Sequence, residues 1–233
     1  MINSKIIATT FFVVMLVAAC ASVPTPGRDR FGLVAVDVPE NWEDVTRVWL
    51  IHMERIGPVH RSGIDYGIRF LVKLASRDKT AECRLREFRY LPSEVGYHYS
   101  LERLAYEVVA FRDRMLKANN TSALLTEGYS VVPSITNPSR AERVLSREVN
   151  INRYSGWKMV TNYWFGEGEN ARLAALTVSV ISRPSLIRQD SAKYYVVAEC
   201  DTEGRRQTVM DRQLEIDKTI SSLRMGQDIG GVR

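Results

Sequence analysis

Few side chains in this sequence could carry out catalysis or bind a metal ion. The 233 residues include three histidines and three cysteines, namely His52, His60, His98, Cys20, Cys83 and Cys200. His52 begins an H-x-E triplet, but the P-C-x-x-C segment of a zinc deaminase does not follow it, and no HExxH is present. His52 and His60 could meet as metal ligands across a hairpin, although solvated histidines on strands are the commoner arrangement. We therefore predict no catalytic residue, no metal site and no cofactor.

Other common catalytic patterns are also missing from the sequence. It contains no G-x-S-x-G, no Walker A loop and no G-x-G-x-x-G. Ser155-Gly156 is typical of a turn rather than of a nucleophile, which needs a neighbouring base and an oxyanion site. Glu167 and Glu169 lie in GEGENAR, a stretch expected to form a hairpin turn, where solvation explains their charge.

The amino-terminal residues indicate the compartment in which the protein works. Lys5 is followed by an uncharged, mostly apolar run at residues 6–19. This run is shorter than the roughly 20 residues that a helix needs to cross a bilayer, and it has the length of a signal-peptide core. It ends in Leu16-Val17-Ala18-Ala19-Cys20, which resembles the lipobox of bacterial lipoproteins.

The lipobox resemblance implies cleavage after Ala19, a diacylglyceryl group on Cys20 and a further acyl chain on the new amino group. Two or more acyl chains hold a protein stably on a membrane, whereas one holds it weakly. Ala21 follows the cysteine, and this resembles the outer-membrane sorting pattern of enteric-type bacteria. The alternatives are an ordinary signal peptide before an accidental cysteine and an uncleaved anchor.

The chain divides into four predicted segments. Residues 1–19 form the signal peptide, 20–31 a Pro-rich tether, 32–225 one globular domain and 226–233 a loose tail. The composition is 45% hydrophobic and 25% charged, with a formal net charge of +5. Such a composition excludes fibrous, intrinsically disordered and multi-span membrane proteins.

Two cysteines remain in the predicted domain, Cys83 and Cys200. Because exported proteins meet an oxidising environment, paired cysteines in them tend to form disulfides. The sequence alone also allows two buried thiols that lie too far apart to bond. We therefore expect a Cys83–Cys200 disulfide, and two unbonded thiols are the alternative. There is no C-x-x-C to indicate a redox site or a zinc knuckle.

Arginine and aromatic residues are interleaved after Cys83, at Arg84, Arg86, Phe88 and Arg89. Such a pattern can bind nucleic acid, but an exported, lipid-anchored protein rarely meets nucleic acid. We interpret these residues as cation–π contacts on a solvated sheet face. We therefore predict no nucleic-acid partner.

Hydrophobic periodicity predicts a single α+β domain. One helix begins at Ser100, its N-cap, and ends at Ala118, and a second amphipathic helix spans Thr208–Leu223. Alternating or β-branched runs predict strands at Gly32–Val38, Val45–Ile56, Tyr66–Leu74, Glu82–Leu91, Leu124–Val132, Glu142–Ile151, Trp157–Phe165, Leu173–Ile181 and Tyr194–Cys200.

Three short motifs resemble PsbP-like domains. Val38-Pro39-Glu40-Asn41-Trp42 is similar to the VP-x-x-W start of that family, and Val196–Cys200 and Ile220–Leu223 are similar to segments near its end. The resemblance implies an α/β/α sandwich, in which helices flank a central antiparallel sheet. It also implies a binding or assembly module, since most members of this fold act in that way.

These features predict a membrane-anchored envelope lipoprotein that acts as a non-catalytic binding or assembly module. Its expected partners are the membrane, through lipidated Cys20, and a protein of the envelope. The sorting pattern predicts the outer membrane. One alternative is a tethered binding protein for a small molecule, a lipid or a glycan. Another is an enzyme whose site is assembled from scattered residues.

Overall fold

A computed structural model of the protein describes residues 27–28, 34–50, 67–90, 100–117, 138–166, 171–183 and 193–226. Several predicted features lie outside these residues. They are the signal peptide with its lipobox and Cys20, the three histidines, the pair Glu167 and Glu169, the strand at Leu124–Val132 and the tail from residue 227 onward.

Ten strands in the described residues form two sheets. The strands are β1 (Gly27–Arg28), β2 (Val34–Val36), β3 (Trp42–Asp44), β4 (Gly67–Ser76), β5 (Ala81–Tyr90), β6 (Arg140–Ile151), β7 (Tyr154–Phe165), β8 (Arg172–Arg183), β9 (Lys193–Gly204) and β10 (Arg224–Met225). The large central sheet has the order β3-β4-β5-β9-β8-β7-β6, and the small sheet has the order β1-β2-β10. Every pairing in both sheets is antiparallel.

The later half of the central sheet is a meander, in which β6, β7, β8 and β9 are neighbours in space as in sequence. The strand ends Phe165 and Arg172 are paired across β7 and β8, which confirms the hairpin expected at the Gly-rich stretch between them. β5 then pairs with β9. The strands nearest the middle of the sheet therefore come from distant parts of the chain.

Two long helices cover opposite faces of the central sheet. Helix α1 (Leu101–Lys117) packs Leu104 and Val108 in one apolar cluster with Met159 and Val178 of the sheet. Helix α2 (Arg206–Ser221) buries residues such as Ile216 in a cluster on the other face. The predicted sandwich of helices around an antiparallel sheet is thus confirmed. We refer to these two sides of the sheet as the α1 face and the α2 face.

The start of α1 also agrees with the sequence. The backbone N–H of Arg103 donates to the Ser100 hydroxyl at 3.1 Å, which is the N-cap contact expected of a serine at that position. Neither α1 nor α2, nor any other helical stretch in the described parts of the chain, is both long enough and apolar enough to cross a bilayer.

The strand predicted at Val45–Ile56 is wrong over its described part, because residues 46–50 are helical. The backbone N–H of Thr46 donates to the Asp44 side chain at 2.9 Å, and the N–H of Trp49 donates to the Val45 carbonyl at 3.0 Å. Asp44 thus supplies the local side-chain bond that turns the chain out of β3. The bulky residues that favoured a strand are helical here, with Trp49 buried.

The turn predicted at Ser155-Gly156 is also wrong, since both residues lie within β7. The chain reverses instead at Asn152, which has a φ of 54°. Gly156 is required for packing rather than for a turn. A Cβ atom there would lie 3.0 Å from the Val180 carbonyl oxygen on the neighbouring strand.

The small sheet joins the two ends of the described chain. β2 lies between β1 and β10, with Gly27 opposite Val36 and Arg224 opposite Ala35. β1 falls in the segment that the sequence predicts to be a tether. Part of the predicted tether is therefore paired in the small sheet.

Candidate functional site

Cys83 of β5 and Cys200 of β9 are directly opposite each other in the sheet and are joined by a disulfide. Their Cα atoms lie 4.0 Å apart, and both side chains are buried in the apolar cluster under α2. The disulfide expected from the sequence is therefore present in the structure. It links the two strands that come from distant parts of the chain.

The residues next to these cysteines point to the α1 face, because side chains alternate along a strand. Five charged residues meet there, and we call them the central charge cluster: Arg84 and Arg86 of β5, Glu199 and Asp201 of β9, and Arg112 of α1. Between 0% and 7% of the surface of each is exposed. Side chains of this kind are almost never so deeply buried unless they are paired.

Asp201 lies between two arginines of the cluster. Arg112 Nη1 donates to Oδ2 of Asp201 at 2.9 Å, and its Nη2 lies 2.6 Å from Oδ1, so the guanidinium engages both oxygens. Arg84 Nη2 donates to Oδ2 at 2.9 Å from within the sheet. Forked pairs between charged groups are among the stronger hydrogen bonds in proteins. Asp201 therefore fastens α1 to the centre of the sheet.

Glu199 is fully buried beside Arg86 of β5, with which it forms a hydrogen-bonded ion pair. The Arg86 guanidinium also lies 5.3 Å from the centre of the Phe88 ring. The predicted cation–π contact is thus present, but the prediction of a solvated sheet face is wrong. The reason is that β9 supplies buried carboxylates opposite β5 and α1 covers the same face.

Lys73 and Glu82 extend the central charge cluster toward β4. Lys73 Nζ lies 3.1 Å from one oxygen of Glu82, and Arg84 Nη1 lies 3.5 Å from the other. The Lys73 ammonium also lies 6.0 Å from the centre of the Trp49 ring. Burial lowers the pKa of Lys73, although the nearby carboxylate of Glu82 opposes that shift.

A second buried ion pair lies on the α2 face, where β5, β9 and β8 are adjacent. Arg183 Nη2 is 2.5 Å from Oε1 of Glu87. The guanidinium of Arg183 lies 4.5 Å from the centre of the Tyr194 ring. On the α2 face this pair thus links β8 to β5 across β9, whereas on the α1 face the central charge cluster links β5 to β9 and to α1.

Sequence reasoning singled out Arg84 and Arg86 of the central charge cluster and missed Arg112, Glu199 and Asp201. Glu199, Asp201 and Glu203 occupy alternate positions in β9, a strand whose residues are mostly buried. That spacing puts three acidic side chains on one face of a strand with little polar surface, which is the signal that buried cationic partners exist. It does not indicate which strand or helix supplies them.

The described residues contain no group of three or more His, Cys, Asp or Glu that could hold a metal ion. The carboxylates that do lie close together, Glu199 and Asp201, are engaged by arginines. The described geometry therefore offers an ion-paired centre and not a ligand set.

The edge strand β6 is largely exposed, in contrast to this buried centre. It is 12 residues long, and nine of these residues are exposed. Within the described ranges it pairs with β7 alone, so its second edge has no strand partner among these residues. Its exposed side chains include Glu142, Arg147 and Glu148.

Comparison with known proteins gives distant structural neighbours only. No protein-family model matches the chain, and no curated protein matches it. Among solved structures, it is similar to the cyanobacterial PsbP (CyanoP) from Synechocystis sp. PCC 6803, with a TM-score of 0.42, 11% identity and coverage of 89% of this chain and 96% of that one. It is also similar to LpqN of Mycobacterium tuberculosis, described as involved in cell envelope biogenesis, with a TM-score of 0.36, 9% identity and coverage of 88% and 87%.

At these TM-scores and identities, neither likeness establishes a family or a function for this chain. The solved neighbours do include a PsbP, the family that the sequence motifs resemble. Membership of that family stays a prediction. The α+β architecture rests on the strand order and on the two helices described above.

Proposed function

We propose that this protein is a lipid-anchored module of the bacterial cell envelope that binds another protein and does not catalyse a reaction. The anchor is Cys20, the last residue of the lipobox-like segment Leu16–Cys20. The Cys83–Cys200 disulfide is in keeping with this location, because disulfides persist in exported proteins and are rare in reducing compartments.

The observation that carries the non-catalytic part of the proposal is the pairing within the central charge cluster. Catalytic acids and bases need access to a substrate, whereas Arg86 and Glu199 are buried against each other. Arg112 and Arg84 hold Asp201 in the same enclosed position. These groups therefore stabilise a rigid sheet, and the exterior of the domain is left for recognition.

The test is a crosslinked pull-down of the full-length, lipidated protein from its native envelope, followed by identification of the captured molecules. The matched control is Cys20→Ser, which removes the acylated thiol and leaves the domain unchanged. We expect a specific protein partner with the lipidated chain and a large loss of that partner with the control. Incorporation of a labelled fatty acid into the wild-type chain, and not into the control, checks the anchor separately.

Two outcomes would contradict the proposal. Recovery of a lipid, a glycan or a small molecule in place of a protein would favour a tethered ligand-binding protein. Recovery of no partner from a well-folded, acylated chain would remove the assembly role. A chain that takes up no fatty acid would contradict the anchor alone, so the two parts can be separated.

A further inference from the structure

We propose that two copies of this chain pair through the open edge of β6, antiparallel and about a two-fold axis perpendicular to the sheet. The axis would pass between Val144 and Leu145. The two central sheets would then join into one. This inference rests on the geometry of β6 and not on the proposed function.

The first observation is the exposure of the strand. An edge strand presents unpaired N–H and C=O groups to solvent and is a template for another strand. At 12 residues, β6 is long for an edge strand. Most of its side chains are exposed, on both faces of the sheet. The opposite edge of the sheet is β3, which has only three residues.

The second observation is an irregularity in the pairing of β6 with β7. Arg143 lies opposite Thr161 and Leu145 lies opposite Val160, so Val144 is an extra residue. A bulge of this kind changes which face the following side chains occupy. Two residues on either side of Val144 therefore lie on the same face of the sheet when they are separated by an odd number of positions in the sequence.

Glu142 and Arg147 are such a pair. Glu142 lies opposite Asn162, next to Trp164, which packs with Val209 of α2. Arg147 lies opposite Lys158, whose ammonium is 2.5 Å from Asp217 of α2. Glu142 and Arg147 are thus both on the α2 face, on either side of the bulge.

The third observation is that the charges of β6 complement each other in one alignment. In a two-fold antiparallel pair centred between residues 144 and 145, Glu142 of one copy lies directly opposite Arg147 of the other. The two-fold axis creates this contact twice. Oppositely charged residues directly across two strands stabilise a sheet, and like charges destabilise it.

Several other alignments are disfavoured by the same rule. An axis at residue 147 places Arg147 opposite itself, and an axis at residue 148 does the same for Glu148. An axis between 143 and 144 places Arg140 opposite Arg147. Charges and bulges on an edge strand normally keep other strands away. Of the two alignments whose axis passes beside the bulge and keeps side chains on matching faces, only the one between 144 and 145 places opposite charges across from each other.

In the monomer, Glu142 and Arg147 have no strong ionic partners among the described residues. Glu142 is 2.6 Å from Arg140 on its own strand, and both side chains are largely exposed. Exposed pairs of this kind contribute little, so Glu142 can exchange partners at small cost. Arg147 makes no ion pair with any residue in the described part of the chain.

The experiment measures the mass of the full-length protein in a detergent of known micelle size, by sedimentation over a range of concentrations. We expect a dimer that dissociates on dilution. Glu142→Arg places two arginines opposite each other twice, and it should weaken the dimer by about tenfold or more. Arg147→Glu should do the same, and the double variant Glu142→Arg, Arg147→Glu should restore the wild-type affinity.

The matched control is Glu107→Arg, which makes the same change of charge at a partly exposed position of α1, away from β6, and should leave the dimer intact. Copies carrying Glu142→Cys mixed with copies carrying Arg147→Cys should form a disulfide between chains on oxidation. A protein that is monomeric at every concentration overturns the proposal. So does a dimer that neither charge reversal weakens, or one that the double variant does not restore.

Discussion

Cys83 and Cys200 form a disulfide that joins the two parts of the chain meeting at the middle of the sheet. They lie opposite each other on β5 and β9, 117 residues apart in sequence, and their disulfide is buried under α2. The same two strands carry Arg84, Arg86, Glu199 and Asp201 on the opposite face. Removal of the disulfide and disruption of the ion pairs should therefore affect the same part of the fold.

The double variant Cys83→Ala, Cys200→Ala should destabilise the protein by about 4–5 kcal/mol, because a disulfide that closes a loop of this length strongly restricts the unfolded chain. Urea unfolding of the variant and the wild type measures the difference. The reduced wild-type protein serves as the control and should behave like the variant. Equal unfolding midpoints for variant and oxidised wild type would contradict this expectation.

Asp201→Asn keeps the shape of the side chain and removes its charge, so that Arg84 and Arg112 lose a buried ionic partner. Loss of one member of a buried pair typically costs about 3–5 kcal/mol. Urea unfolding measures this cost as well. Glu107→Gln removes a carboxylate from an exposed pair with Arg103 on α1 and should change stability by less than about 1 kcal/mol. Similar effects for the two variants would contradict the structural role of Asp201.

Asp78 should make stability depend on pH in the acid range. Partial burial disfavours its charge, but hydrogen bonds from Ser76, Arg212 and Thr80 outweigh that effect and hold the pKa of Asp78 below its ordinary value. A lowered carboxyl pKa stabilises the fold above about pH 4, and this contribution is lost as the pH falls toward the folded-state pKa.

We therefore expect Asp78→Asn to destabilise the protein at pH 7 by about 1 kcal/mol or less, since the side chain is largely exposed and solvent screens the pair. The difference from wild type should shrink as the pH is lowered from 4. Unfolding curves at several pH values measure it, with Asp211→Asn on α2 as the control. A difference that stays constant with pH would count against the Asp78–Arg212 pair as its source.

Tyr163 should remain protonated at alkaline pH for as long as the protein is folded. Burial raises the pKa of Tyr163, and the charge of Asp113, which accepts its hydroxyl at 2.6 Å, raises it further. A raised pKa stabilises the fold below about pH 10, and this contribution is lost as the pH rises above that value.

Ultraviolet absorbance of phenolate during an alkaline titration tests this expectation. Comparison of the wild type with Tyr163→Phe isolates the signal of this one residue. We expect no difference between the two spectra until the wild type unfolds. Ionisation of Tyr163 near pH 10 in protein that circular dichroism shows to be folded would be the opposite result.

Much of the fold could be predicted because local patterns and tertiary structure agree. In β7, the alternation of side chains along a strand puts Met159 and Tyr163 on one face and Trp164 on the other. The structure places them accordingly, in the clusters on the α1 and α2 faces. The Ser100 cap marks the start of α1 for a similar reason, since the bond is made to a residue three positions along the chain.

The rest depended on partners that are remote in sequence. Arg84 and Arg86 have the same appearance on a solvated strand as on a buried one, and only the pairing of β5 with β9 brings Glu199 and Asp201 to them. Thr46 is a second residue whose contact depends on another part of the chain. Its hydroxyl accepts from the backbone N–H of Lys73 at 2.9 Å, a contact that helps place residues 46–50 against β4 and that no local pattern reveals.

The arrangement of β1 and β10 on either side of β2 has a mechanical consequence. The chain enters the described fold at Gly27 and leaves it after Met225, with only the width of β2 between the two strands. Two strand spacings amount to about 10 Å. For a domain held to a membrane by its first residues, tension on the tether would peel β1 from β2 before it reached the central sheet.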